Sequence, residues 1–179
     1  MKQNKLIITE QDFFDAEDQY LNLSDEELKQ LAEGSASEQP ALFVFVATYY
    51  ENLTEEENKE FFLQLIYSTW IAYKSKYKLI RKLSIPEIEK MDEDEEKLLT
   101  GLSENEDAIM GEVLKRMTQH PQPELIGHLY ETIGDFFEFN DLESEEDEND
   151  PANDAGIVSG AVNLFVNLLE KARQELHAS

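Results

Sequence analysis

Four segments of the chain place a serine or threonine three residues before a glutamate: Ser24 before Glu27, Thr54 before Glu57, Ser84 before Glu87 and Ser103 before Glu106. At a helix start this spacing lets the hydroxyl accept the backbone N–H three residues on, while the glutamate reaches back to the N–H of the capping residue. The acidic residues also suit the positive end of the helix dipole. Pro86 falls in the first turn after Ser84, where a missing N–H costs nothing. The first three starts lie thirty residues apart, yet beyond Lys29 and Lys59 the segments between them do not align, and Ser103 breaks the period. Similar helix lengths account for that spacing better than a repeat array does.

Read from these starts, the chain divides into about eight helices. They run roughly over 10–20, 24–33, 37–52 and 55–81, then one after Pro86, one after Ser103 that stops before Pro121 and Pro123, one over 123–139, and a last from Asn153 or Asp154 to about His177. The stretch "FFLQLIYSTWIAY" from Phe61 is apolar on nearly every side, which predicts a central helix. Lys74, Lys76, Lys78, Arg81 and Lys82 follow it, where cations suit the carbonyl end. In the last helix Ile157, Ala161, Leu164, Phe165, Leu168, Leu169, Ala172 and Leu176 form a buried stripe at i, i+3, i+4, i+7 spacing. Gly156 and Gly160, one turn apart on it, would allow a close neighbour there. "LFVFVATYY" from Leu42 is β-prone, but a single strand makes no sheet and its flanks read as helical. The fold class expected is all-α: a single multi-helix bundle of about seven or eight helices spanning 1–179. An acidic, mobile loop at 141–153 is expected before the C-terminal helix.

Composition removes several function classes. The 179 residues include no cysteine, so disulfides, zinc–thiolate sites and cysteine nucleophiles are out. The longest apolar stretch, "ALFVFVA" from Ala41, is far short of a membrane span, and the apolar run in "MKQNKLIITEQDFF" is too short for a signal-peptide core. A cytoplasmic location and no membrane contact are expected. The formal net charge is -25 and is uneven: residues 1–90 carry 10 Lys and Arg against 17 Asp and Glu, residues 91–179 carry 5 against 23. Such a field repels nucleic acid and attracts basic surfaces.

The acidity concentrates in two runs. "DEDEE" comprises Asp92, Glu93, Asp94, Glu95 and Glu96; "DLESEEDEND" contains Glu145, Glu146, Asp147 and Glu148. The second run fails the EF-hand offsets, because counting from Asp147 puts Pro151 at the fifth position and Ala152 at the sixth, which a calcium loop reserves for a glycine. Both runs are therefore expected as electrostatic contacts for a basic partner. Metal candidates are Glu124, His128, Glu131 and Asp135. Glu124, His128 and Glu131 would share a helix face, and imidazole with carboxylate suits zinc, iron or manganese. Their Glu-x-x-x-His spacing differs from the Glu-x-x-His of di-iron bundles, and a Glu–His pair on a helix surface is the commoner meaning of such a pattern. No nucleophile elbow or phosphate-cradling glycine loop is present in the sequence, and no cofactor is expected.

"YETIGDFFEF" (Tyr130 to Phe139) resembles, over about five residues, the Glu-Glu-Leu-Gly-Asp helix of the all-α nucleotide pyrophosphohydrolases. The resemblance implies magnesium held by Glu131 and Asp135 with carboxylates from a neighbouring helix, since magnesium wants several hard oxygens. Thr132 stands where that family has its second glutamate; a Glu-x-x-Glu occurs instead at Glu93 and Glu96. Two functions are thus expected from the sequence. The first is a non-enzymatic interaction, adaptor or inhibitor-type protein recognising a basic surface. The second is a diverged magnesium-dependent enzyme of that kind.

Overall fold

The structure, a computed structural model, describes residues 7–77, 81–102, 106–141 and 151–176. Among them are eight helices and no strand: α1 (Glu10–Leu21), α2 (Asp25–Glu38), α3 (Pro40–Asn52), α4 (Glu56–Lys76), α5 (Ile85–Leu102), α6 (Glu106–Gln119), α7 (Pro123–Asp141) and α8 (Pro151–Leu176). The all-α multi-helix fold read from the sequence is the fold observed. No helix among the described residues is long and apolar enough to cross a membrane.

The helix starts obey the chemistry that predicted them, with instructive departures. Ser24 caps α2 in a complete box, its N–H donating to the Glu27 carboxylate at 2.9 Å. An unforeseen box opens α1. Thr9 Oγ1 accepts from Asp12 N at 3.2 Å, and the Asp12 carboxylate accepts from Thr9 N at 2.8 Å. Ser84 N–H and hydroxyl both donate to Glu87, at 2.9 and 2.7 Å. The Thr54–Glu57 box is not formed. Glu55 is the N-cap of α4 and makes no side-chain cap bond. Instead Asp154 of α8 accepts from Thr54 N at 3.1 Å, Thr54 Oγ1 at 3.0 Å and Asn58 Nδ2 at 2.8 Å. A carboxylate from another helix thus occupies the positive end of α4. Ser103 lies outside the described residues.

The ends of two helices also differ from expectation. α2 continues through Gly34 and Ser35 to Glu38, because what stops it is Pro40, which cannot donate an N–H and disfavours helical geometry at Gln39. α4 stops at Lys76, not near Arg81, since Tyr77 leaves the helix with φ -121° and ψ 103° and turns its ring into the core. α8 begins at Pro151, a favourable first-turn residue, three positions before Asp154. Most of the acidic run expected as a mobile loop, 142–150, lies outside the described residues.

One apolar cluster runs from Ile8 to Ala172. α4 is central, as its all-round apolar sequence implies: Phe62, Leu65 and Ile66 are fully buried and it packs against α1, α3 and α8. α8 faces α3, α4, α5 and α7. The β-prone segment is the helix α3, burying Leu42, Phe43, Phe45 and Val46; burial of that apolar face overrides its propensity. Phe61 stacks on Phe136 at 3.8 Å between centroids, joining α4 to α7.

The room that Gly156 and Gly160 leave for a close neighbour is not used: a Cβ built on either meets no atom within 4 Å. These glycines only loosen the unfolded chain and the helix. Gly160→Ala is expected to raise stability by about 0.5–1 kcal/mol in urea denaturation; a loss would mean that the glycine serves a contact the fold does not show.

Candidate functional site

The acidic run on α5 is split by the helix period. Ile88 is buried and Met91, Asp92 and Glu95 are half-buried on the same face, whereas Glu89, Glu93, Asp94 and Glu96 are exposed. Asp92 accepts from the Tyr49 hydroxyl at 2.6 Å, and burial together with this bond raises the Tyr49 phenol far above its ordinary value. Glu95 receives both terminal nitrogens of Arg116, whose Nε also reaches Glu112 at 3.3 Å. With side-chain exposures of 12% for Arg116 and 15% for Glu95, this is a forked pair shielded from water. Of the five residues expected to meet a partner, Asp92 and Glu95 hold α5 to α3 and α6, leaving Glu93, Asp94 and Glu96 facing outward. Glu145, Glu146, Asp147 and Glu148 lie outside the described residues.

The cations follow the opposite rule. The basic end of α4 is tied into two other helices, Lys74 pairing with Glu38 of α2 and Lys76 with Asp12 of α1 at 2.9 Å, while Arg81, ahead of α5, pairs with Glu87 of α5 at 2.7 Å. The Arg81 guanidinium, with the Ser84 hydroxyl and N–H, lowers the Glu87 carboxyl to about 2. Among the described residues the exposed cations are Lys29, Lys82, Lys90, Lys97 and Lys115, and exposed carboxylates outnumber them several-fold. The surface is negative because 40 acidic residues stand against 15 basic ones, and several of those bases are held in pairs within the fold.

The metal candidates do not converge. Glu124, Glu131 and Asp135 are exposed. His128 turns towards α1, its ring edge-on to Phe13 and Phe14 at 5.1 and 4.6 Å between centroids, with Glu10 Oε1 3.6 Å from Nδ1. Thr132, which takes the place of the second glutamate in the pyrophosphohydrolase pattern, lies 3.3 Å from His128 Nε2. Among the described residues no group of three or more His, Asp or Glu is placed to hold a metal ion.

The chain's main polar cluster was not foreseen. Glu170 of α8, 3% exposed, accepts from Tyr73 Oη at 3.0 Å, Gln122 Nε2 at 2.8 Å and Arg173 Nε at 3.1 Å, with a second Arg173 bond to its other oxygen. Gln122, in the turn between α6 and α7, also donates to Tyr77 Oη at 2.9 Å and accepts the Ile8 N–H at 2.7 Å. The Arg173 guanidinium lies over the Tyr77 ring at 4.7 Å. Alongside, His120 Nδ1 accepts from Gln122 N at 2.9 Å, and its Nε2 is 3.0 Å from Asn167 Oδ1. The sequence hides it. On a helix Glu170 and Arg173 fall opposite the stripe formed by Ala161, Phe165, Leu168 and Ala172, where an acid and a base three residues apart read as a solvent-facing pair, yet both are buried.

Burial alone would push the Glu170 carboxyl up; the hydrogen bonds and charge of Arg173, with Gln122 and Tyr73, outweigh it and hold it below the ordinary carboxylate value. Asp154 follows the same pattern, burial being outweighed by Asn58 and Thr54. Compared with protein-family models, curated proteins and solved structures, the chain matches none.

A carboxyl depressed in the folded state adds stability above its unfolded pKa and loses it as pH falls through the folded value. Glu170→Gln is expected to cost about 3–5 kcal/mol at neutral pH, because Arg173 is left buried without its counter-charge. It is also expected to flatten the fall in stability below about pH 4. Urea denaturation from neutral to acid pH measures both; an unchanged midpoint at neutral pH contradicts the role assigned to this cluster.

Proposed function

We propose that this chain is a non-enzymatic interaction protein, of adaptor or inhibitor type, whose carboxylate-rich exterior meets a basic partner surface. The observation that carries the reading is the division of charge: Lys74, Lys76, Arg81 and Arg116 are paired within the fold, while Asp94, Glu96, Glu93 beside its exposed Lys97 and many exposed acids of α1, α2 and α4 face solvent. A field of one sign accelerates encounter with an opposite surface and disfavours wrong partners. The magnesium-enzyme reading has no comparable support, because Glu131 and Asp135 stand exposed with no carboxylate set around them among the described residues.

The test uses a labelled Lys/Ser peptide as basic probe and follows its anisotropy on titration with the full chain. Binding is expected at about 0.05 M salt and is expected to weaken strongly at about 0.5 M, where the screening length falls to a few ångströms. Replacing Glu93, Asp94 and Glu96 by Gln, Asn and Gln is expected to weaken it several-fold with the melting temperature unchanged. Asp92→Asn and Glu95→Gln are expected instead to lower the melting temperature. Binding that ignores both salt and the outward substitutions would contradict charge-led recognition.

A further inference from the structure

Between α2, α3 and α4 lies an open pocket of about 300 Å³. Ala32 and Ala36 of α2 and Ala47 of α3 form its walls, with Phe43, Tyr50 and Tyr67 among its remaining lining. Protein interiors are close-packed, and an apolar space of this size is in the range of ligand sites. It exists because three walls are alanines and because α2 buries only Ser35.

The chemistry of the lining selects the occupant. The faces of Tyr67 are already taken, stacked by Tyr20 at 6.0 Å and by Phe43 at 5.7 Å between centroids. Tyr50 already carries the Lys59 ammonium at 5.6 Å, and Lys59 is itself paired with Glu56 at 2.8 Å. The rings therefore offer apolar contact but no open cage for a cation. Charge is found on the rim. Exposed Glu33 and Glu51 lie one helical turn from Ala36 and Ala47, and exposed Glu60 lies one turn from Leu63, near enough to raise the phenol of Tyr20 alongside the larger effect of burial. Lys29, one turn before Ala32, is the exposed cation beside them. Val44, 62% exposed and three residues before Ala47, extends the apolar surface outward along α3.

We propose that this pocket anchors a basic, amphipathic peptide segment of a partner protein. An apolar side chain of that segment fills the space between Ala32, Ala36 and Ala47, and its flanking Lys or Arg side chains lie against Glu33, Glu51 and Glu60. The proposal rests on the basic-partner reading and adds to it the place where apolar contact is made.

Three labelled peptides of equal length test it against the full chain: Lys/Leu, Lys/Ser and Glu/Leu. Trp70, the chain's single tryptophan, sits edge-on to Phe43 at 5.5 Å and reports on the pocket through its emission. Lys/Leu is expected to bind at least about tenfold more tightly than Lys/Ser, the margin one buried apolar side chain supplies. It alone is expected to shift Trp70 emission. Ala47→Phe, which fills the pocket from an exposed position, is expected to remove that margin and leave Lys/Ser binding unchanged. Glu33→Gln with Glu51→Gln, which leaves the pocket open, is expected to weaken Lys/Leu several-fold. Equal binding of Lys/Leu and Lys/Ser, both indifferent to Ala47→Phe, overturns the pocket proposal and leaves the basic-partner reading standing. Failure of both lysine peptides to bind overturns the two together, as does Glu/Leu binding as tightly as Lys/Leu.

Discussion

A carboxylate at 3% exposure inside a helical bundle persists only when its charge is answered and its oxygens are hydrogen-bonded, and Glu170 meets both conditions. The groups that answer it come from separate parts of the chain. Tyr73 belongs to α4, Gln122 to the turn before α7, and Arg173 to the next turn of α8 itself. Through Gln122 the same cluster captures the N–H of Ile8, a residue 114 positions away. The segment leading into α1, the central helix, the α6–α7 turn and α8 are therefore registered against one another by directional bonds that apolar packing alone does not supply. Asp154 repeats the device at the other end of α8, answering the start of α4 through Thr54 and Asn58. Two acids on one helix thus fix its placement along α4.

The same logic explains the charge of the exterior. A chain with 15 Lys and Arg against 40 Asp and Glu cannot pair every acid, and this fold places its cations where they join elements. Lys74 and Lys76 bring α2 and α1 to the end of α4, Arg116 brings α5 to α6, and Arg81 pairs locally with Glu87 at the start of α5. These pairs are partly shielded, unlike exposed pairs such as Lys97–Glu93 on α5, which contribute little. What remains outside is mostly carboxylate. The negative surface and the internal cross-links are two consequences of one allocation, which is why the proposed function and the fold are argued from the same residues.

Much of the fold was legible because helix capping and periodicity are local. Ser24 and Glu27 announce α2, Pro123 starts α7, and the apolar stripe of α8 is plain in the sequence. Two of the errors trace to a distant partner, while others, such as the end of α2 and the start of α8, trace to nearby prolines. Thr54 resembles a cap but serves Asp154, a hundred residues on; α4 ends early because the Tyr77 ring is drawn into the cluster at Gln122. The candidate site was less legible still. Five consecutive carboxylates say nothing about which face each side chain takes, so Asp92 and Glu95 read like Glu93 and Glu96 although their neighbours Tyr49 and Arg116 turn them inward. Glu170 and Arg173 stand opposite the apolar stripe of α8, where they read as an ordinary solvent-facing pair, and Tyr73 and Gln122 are brought to them only by the tertiary fold.

Hydrogen exchange at the Ile8 amide tests this account most directly. Ile8 precedes α1, and its N–H donates to Gln122, which Glu170 orients, so its protection depends on that bond. The account predicts that in the native chain at neutral pH Ile8 N–H exchanges as slowly as amides in the middle of α4. It further predicts that Gln122→Ala and Glu170→Gln each accelerate it by more than they accelerate the α4 amides. Exchange of Ile8 at the rate of an unprotected amide in the native chain, or protection unaltered by both substitutions, would contradict the claim that this buried carboxylate organises the fold.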